Sequence, residues 1–169
     1  MKDALLGLLG LALIIAPIVI SIAHAAETDE LAGIVIAPEN PSAPYNRKDW
    51  QPHEWDRVGR SCQDVRQRVL ITQSLSPAVL SRNQCKVVSG RWVDPYAGGE
   101  TTSPHDLDID HLVALKEAND SGGWQWAATR KRAFAQDLTD GELWAVFTST
   151  NESKGDRDPG EWLPRQASF

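Results

Sequence analysis

The chain has 169 residues, enough for one domain with a modest core, and carries 23 Asp and Glu against 17 Lys and Arg. A formal charge of −6 excludes a generally basic surface for nucleic acid or anionic membranes. Phosphate binding, if it occurs, must rest on local basic clusters or on a bound cation.

Lys2 precedes an apolar stretch from Ala4 to Ala23, and Ala23-His24-Ala25 has the small-x-small form of a signal-peptidase site. A run of about 20 apolar residues is also long enough to span a bilayer. Pro17 and the small residues at the end of the run favour cleavage over an uncleaved anchor. The expectation is a signal peptide over residues 1–25, a secreted product, and no stable membrane association after cleavage.

Residues 26–54 read as a Pro-rich linker, with "APENPSAPYNRKDW" poor in aliphatics and order beginning near Trp55. Residues 55–169 then form the domain. Val58, Cys62, Val65 and Val69 recur at helical spacing, which predicts an amphipathic helix ending before Pro77. Cys62 and Cys85 are the only cysteines, and an even count in an exported chain reads as one disulfide. "CKVVSGRWVDPYAGG" predicts a β-hairpin turning at Ser89-Gly90.

"DLDIDHLVAL" follows as a strand from about Leu107 to Leu112, with Asp106, Asp108 and Asp110 on one face. Ala114 to Ala118 predicts a helical turn, and a helix is expected from about Thr129 to Leu138. "ELWAVFTST" over 142–150 reads as an apolar strand and "NESKGDRD" as a loop. Asp158-Pro159-Gly160-Glu161 has the form of a helix start, with Asp158 as N-cap.

Several carboxylates beside one imidazole suit a hard, oxygen-preferring cation together with a general base. Regular strand geometry points Asp110 and His111 to opposite faces, so alternation alone does not predict a shared site. The residues nevertheless carry a resemblance. "DIDHLVALKEANDSG", "LWAVFTSTNESKGDRDPGEWLP" and the preceding "RSCQDVRQRVL" and "CKVVSGRWVDPY" resemble the exported branch of the HNH endonuclease family, over about residues 58–164.

That resemblance implies an α+β fold, a ββα-metal core with an N-terminal helix and β-hairpin. It implies a secreted endonuclease that hydrolyses phosphodiester bonds of nucleic acid, with DNA favoured over RNA and RNA left open. Low net basicity, with no groove-reading helix or zinc-finger module in the sequence, points to little sequence specificity. His111 matches the general base, and Asp110 and Asn151 match ligands of Mg²⁺ or Mn²⁺, with Asp108 as a further ligand or supporting carboxylate. Lys154 is the candidate phosphate contact or transition-state stabiliser, and candidates for the nucleic-acid path are Arg130, Lys131 and Arg132 together with the helix face carrying Arg60, Arg66 and Arg68. The second histidine of the family name is missing, since none follows His111; Lys154 or Asp156 takes that neighbourhood. Two rival readings accompany these expectations: a catalytically silent extracellular binding module, and a metallohydrolase for another anionic substrate. Asp106 reads as a surface charge, Glu117 as a helix-end carboxylate, and His53 and His105 as exposed loop residues.

Overall fold

The computed structural model describes residues 38–139 and 141–165, so the expected signal peptide and the first part of the expected linker lie outside the described residues. The fold is α+β, built from short helices and three two-stranded antiparallel sheets.

The stretch expected to be a linker is, over its described part, docked. Helix α1 (Arg47–Trp50) is capped by Asn46, whose Oδ1 accepts from the Lys48 amide at 3.1 Å. Trp50 at its end is fully buried, with the rings of Trp126 and Phe134 at 5.6 and 5.8 Å. Burying a ring of this size is worth about 4 kcal/mol or more. The prolines before it bend the chain, but the tryptophan decides that the segment packs. The folded body therefore begins upstream of Trp55.

Helix α2 (Val65–Gln73) starts later than its apolar spacing suggests. Asp64 takes the N-cap, its Oδ1 accepting from the Gln67 amide at 2.9 Å, and this leaves Val58 and Cys62 in the preceding loop. The Cys62–Cys85 disulfide closes that loop onto the chain 23 residues further on.

Strand β1 (Val79–Leu80) pairs with β2 (Val87–Ser89), and β3 (Trp92–Val93) pairs with β4 (Glu100–Thr101), all antiparallel. The hairpin expected at Ser89-Gly90 does not form, because β2 and β3 pair with different strands. Trp92 supplies the reason. Its buried indole donates Nε1–H to the Leu70 carbonyl at 2.9 Å, and a Cβ on Gly90 would come within 2.4 Å of its ring. Gly90 marks a close crossing over Trp92 rather than a hairpin turn.

Strand β5 (Leu107–His111) pairs antiparallel with β6 (Leu143–Phe147), in the register Leu107↔Phe147 through His111↔Leu143. Helices α3 (Leu115–Asp120) and α4 (Ala128–Ala135) lie in the chain between these strands. One face of the pair presents Leu107, Ile109, Leu143 and Ala145 to a core completed by Val65, Val69, Leu70, Val87 and Trp92. A second cluster joins Trp50 to Leu115, Ala118 and Ala135.

From β6 the chain passes directly into helix α5 (Thr148–Lys154), where a strand end and loop were expected. Thr and Ser are weak helix formers, so tertiary contacts fix this turn. The buried Asp94 carboxylate accepts from the Phe147 amide and the Thr150 hydroxyl, pinning the junction. Gly155 ends the helix at φ 62°, its amide donating to the Asn151 carbonyl at 2.9 Å. Asp158 caps the following turn, accepting from the Gly160 and Glu161 amides at 2.7 and 2.9 Å, but no helix develops before Pro164.

Candidate functional site

Strand alternation separates the residues of β5 into two environments. Asp108 and Asp110 face α5, whereas His111 lies on the other side, against Trp55 and the end of α4.

His111 is held at three points. Its Nε2 lies 2.9 Å from the Ala135 carbonyl oxygen, and its ring stacks on Trp55 at 5.8 Å between centroids and 20° between planes. Its own carbonyl accepts from Lys154 Nζ at 2.8 Å. A carbonyl oxygen can only accept, so Nε2 carries the ring proton and Nδ1 keeps its lone pair. Burial pushes the His111 pKa down to about 4, and nearby Arg47 pushes the same way, so the ring is neutral at physiological pH.

Asp110 and Lys154 form a buried ion pair, with side chains only 6% and 5% exposed. Lys154 Nζ reaches Asp110 Oδ1 at 3.2 Å, and the Tyr96 hydroxyl donates to Asp110 Oδ2 at 2.7 Å. Burial raises the Asp110 pKa above the usual carboxylate value, against the opposing pull of Lys154 and Tyr96. Tyr96 is itself shifted upward by burial and by the Asp110 charge beside it. Asp94 supports this tyrosine by accepting its amide proton at 2.8 Å, and Trp162 packs edge-on against its ring at 5.2 Å.

Both oxygens of Asp110, expected as a metal ligand, are thus taken up by protein donors. Lys154, expected to meet a phosphate, is 4% exposed and locks β5 to α5 instead. The reason is burial: an ammonium out of water needs an anion at contact distance.

Asn151, on α5, donates Nδ2–H to Asp108 Oδ2 at 3.1 Å. Among the described residues no donor reaches Asn151 Oδ1, and the residue lines a cavity of about 440 Å³ shared with Arg47, Asp110, His111 and Asp156. The structure therefore brings Asp110, His111, Asn151 and Lys154 into one neighbourhood, with Asp108 bonded to Asn151. Among the described residues no three His, Cys, Asp or Glu side chains stand together as a metal cage. The free amide oxygen of Asn151 and the neighbouring Asp108 carboxylate fit a hard cation that keeps most of its waters, and they do not fit a caged ion.

The basic triplet expected on the nucleic-acid path is engaged within the protein. The Arg130 guanidinium stacks 4.0 Å above the Trp126 ring, buried Lys131 lies 5.5 Å from the Trp50 ring, and Arg132 makes a bidentate pair with Asp56 at 2.6 and 2.7 Å. Glu117 accepts from the Ser121 hydroxyl at 2.8 Å and Asp106 from the Thr101 hydroxyl at 2.6 Å, while His53 and His105 are exposed. Sequence reasoning missed Arg47, Trp55, Asp94 and Tyr96.

Fold and site together define a disulfide-bonded α+β protein with a neutral, anchored histidine at the end of a two-stranded sheet and a buried Asp–Lys pair behind it. Over 139 residues the chain is 35% identical to a protein of Arthroderma benhamiae named an uncharacterized secreted protein, a match covering 82% of this chain and 66% of that relative. The chain spans just under two thirds of the relative's length. The printed name calls that relative secreted, in agreement with the export expected from this sequence, and no helix among the described residues is long and apolar enough to cross a membrane. No family model matches the chain, and no solved structure matches it.

Proposed function

We propose that the protein is a secreted, divalent-metal-dependent endonuclease of the HNH type, its core being the unit β5–β6–α5. The observation that carries this reading is His111: a neutral imidazole held through Nε2 and its ring face, with an unprotonated Nδ1, in a cavity that also holds Asn151.

In this reading His111 Nδ1 accepts a proton from water as its oxygen bonds to phosphorus, and the P–O bond to the leaving 3′ oxygen breaks. A 5′-phosphate results. A divalent cation, when bound, would acidify the attacking water and neutralise charge on the phosphoryl and leaving oxygens. Asn151 and Asp108 would hold it, with water and substrate oxygens filling the remaining positions. A histidine with a pKa of about 4 is a weak base, and it suits an acidified water better than a bulk one. Asp110, Lys154 and Tyr96 do not touch substrate. They clamp α5 against β5 and so set Asn151 relative to His111.

One observation favours a second reading, a catalytically silent binding module: both oxygens of Asp110 are engaged, by Lys154 and Tyr96. Incubating the secreted protein with supercoiled plasmid and with RNA, in Mg²⁺, Mn²⁺ or EDTA, separates the two. Nicking and linearisation that require the metal support the nuclease. Intact DNA and RNA under every condition support the silent module.

A further inference from the structure

Beside the His111 cavity lies a larger one of about 940 Å³, at the upper end of the roughly 300–1,000 Å³ usual for ligand sites. Arg47, Ile109 and Asn151 line both, so the two form a continuous cleft. The walls of the larger cavity include Arg47 and Lys48 of α1 and Arg66 of α2. Against them stand Glu54 and Asp108, and Asp108 already accepts from Asn151. His53 lies on the same wall.

These cations are placed differently from those of α4. Arg66 is fixed from behind, with Nη2 donating to the Pro104 and Leu107 carbonyls at 2.9 and 2.8 Å. Arg47 is steadied along α1 by a 3.0 Å bond from Nη2 to Gln51 Oε1, and Lys48 is exposed. None of the three has a carboxylate at ion-pair distance among the described residues, whereas Arg132 does. On a chain of net charge −6, this concentrates unpaired positive charge along one wall of the cleft that reaches His111.

We infer that α1 and the start of α2 form a phosphodiester-backbone subsite, in which Arg47, Lys48 and Arg66 hold the strand flanking the bond presented to His111. The inference rests on the nuclease reading and names its substrate path. Recognition there is by charge along the backbone, so it is independent of sequence and weakened by salt. The segment resembling a linker in sequence thus becomes part of the site, anchored by buried Trp50.

The test is fluorescence anisotropy of a short fluorescein-labelled single-stranded oligonucleotide, titrated with the secreted protein in EDTA at several salt concentrations. For the double variant Arg47→Ala/Lys48→Ala, Kd should rise tenfold or more. The slope of log Kd against log salt should fall by about 1.4, at about 0.7 per lost phosphate contact. Arg82→Ala, at an exposed position lining neither cavity, should bind as wild type does. Lys48→Ala alone, at an exposed position, should show about half of the slope change and excludes misfolding as the cause. Unchanged affinity and slope in the α1 variants overturn the inference, as does an oligonucleotide that wild type does not bind. Binding that depends on Arg47 and Lys48 in a protein that cuts nothing with Mg²⁺ or Mn²⁺ keeps the subsite and rejects the nuclease. Cleavage at an unaltered KM in the double variant keeps the nuclease and rejects the subsite.

Discussion

Lys154→Met tests the clamp between β5 and α5. The substitution keeps most of the side-chain volume and removes the ammonium that neutralises Asp110. What remains at that carboxylate is the Tyr96 hydroxyl at 2.7 Å and a weaker backbone bond from His111. Removing one partner of a buried pair costs about 3–5 kcal/mol, because a charge is left uncompensated out of water. The lost bond to the His111 carbonyl adds about 1 kcal/mol. A pH dependence follows from the sign of the Asp110 shift. Its folded pKa lies above the ordinary value of 3.8 already, and without Lys154 it rises further. The folded state then binds a proton more readily than the unfolded chain, so the penalty is absent below about pH 3.8 and grows as pH rises through the folded value. Urea unfolding followed by tryptophan fluorescence should show the full loss near pH 7 and a smaller one near pH 5. Adding Asp110→Asn should recover most of it, since the amide oxygen still accepts from Tyr96. A single variant that loses less than about 1 kcal/mol, equally at both pH values, refutes this account of the pair.

Tyr96→Phe should cost about 1–3 kcal/mol in the same unfolding measurement, by leaving Asp110 short of a donor. Reducing the Cys62–Cys85 bond, or replacing both cysteines by serine, should cost about 3 kcal/mol, read as a fall in the melting temperature that reductant does not deepen in the double-serine protein. Burial raises the Glu142 pKa from 4.5 to about 7, so the folded state gains a proton relative to the unfolded one and loses stability as pH climbs through that window. Melting temperatures of Glu142→Gln should fall less steeply than those of wild type between those pH values.

The disulfide and the apolar strands carrying the site residues were legible in the sequence, because each depends on local pattern or on cysteine count. The start of α2 was displaced by one residue type: Asp64 caps where periodicity alone would have run on to Val58. The hairpin at Ser89-Gly90 was misplaced because Trp92, and not the turn dipeptide, dictates the crossing there. Helix α5 was invisible to pattern, since its first turn is fixed by Asp94, some fifty residues upstream. The same limit applies to the site. Sequence placed Asp110, His111, Asn151 and Lys154 together, but it could not show that Asp110 faces a lysine and a tyrosine. Nor could it show that Trp50 draws α1, with Arg47 and Lys48, against the body of the fold.

The central claim is that His111 Nδ1 is the base of a metal-dependent phosphodiester hydrolysis. The most direct measurement is the plasmid-nicking rate of wild type and His111→Ala, side by side in Mg²⁺, Mn²⁺ and EDTA, with melting temperatures confirming that both are folded. Wild type should nick in one or both metals and not in EDTA, and the variant should be slower by about 10²-fold or more. Undiminished cleavage by His111→Ala would contradict the assignment of the base, and a wild type that leaves the plasmid intact in both metals would contradict the DNA nuclease itself.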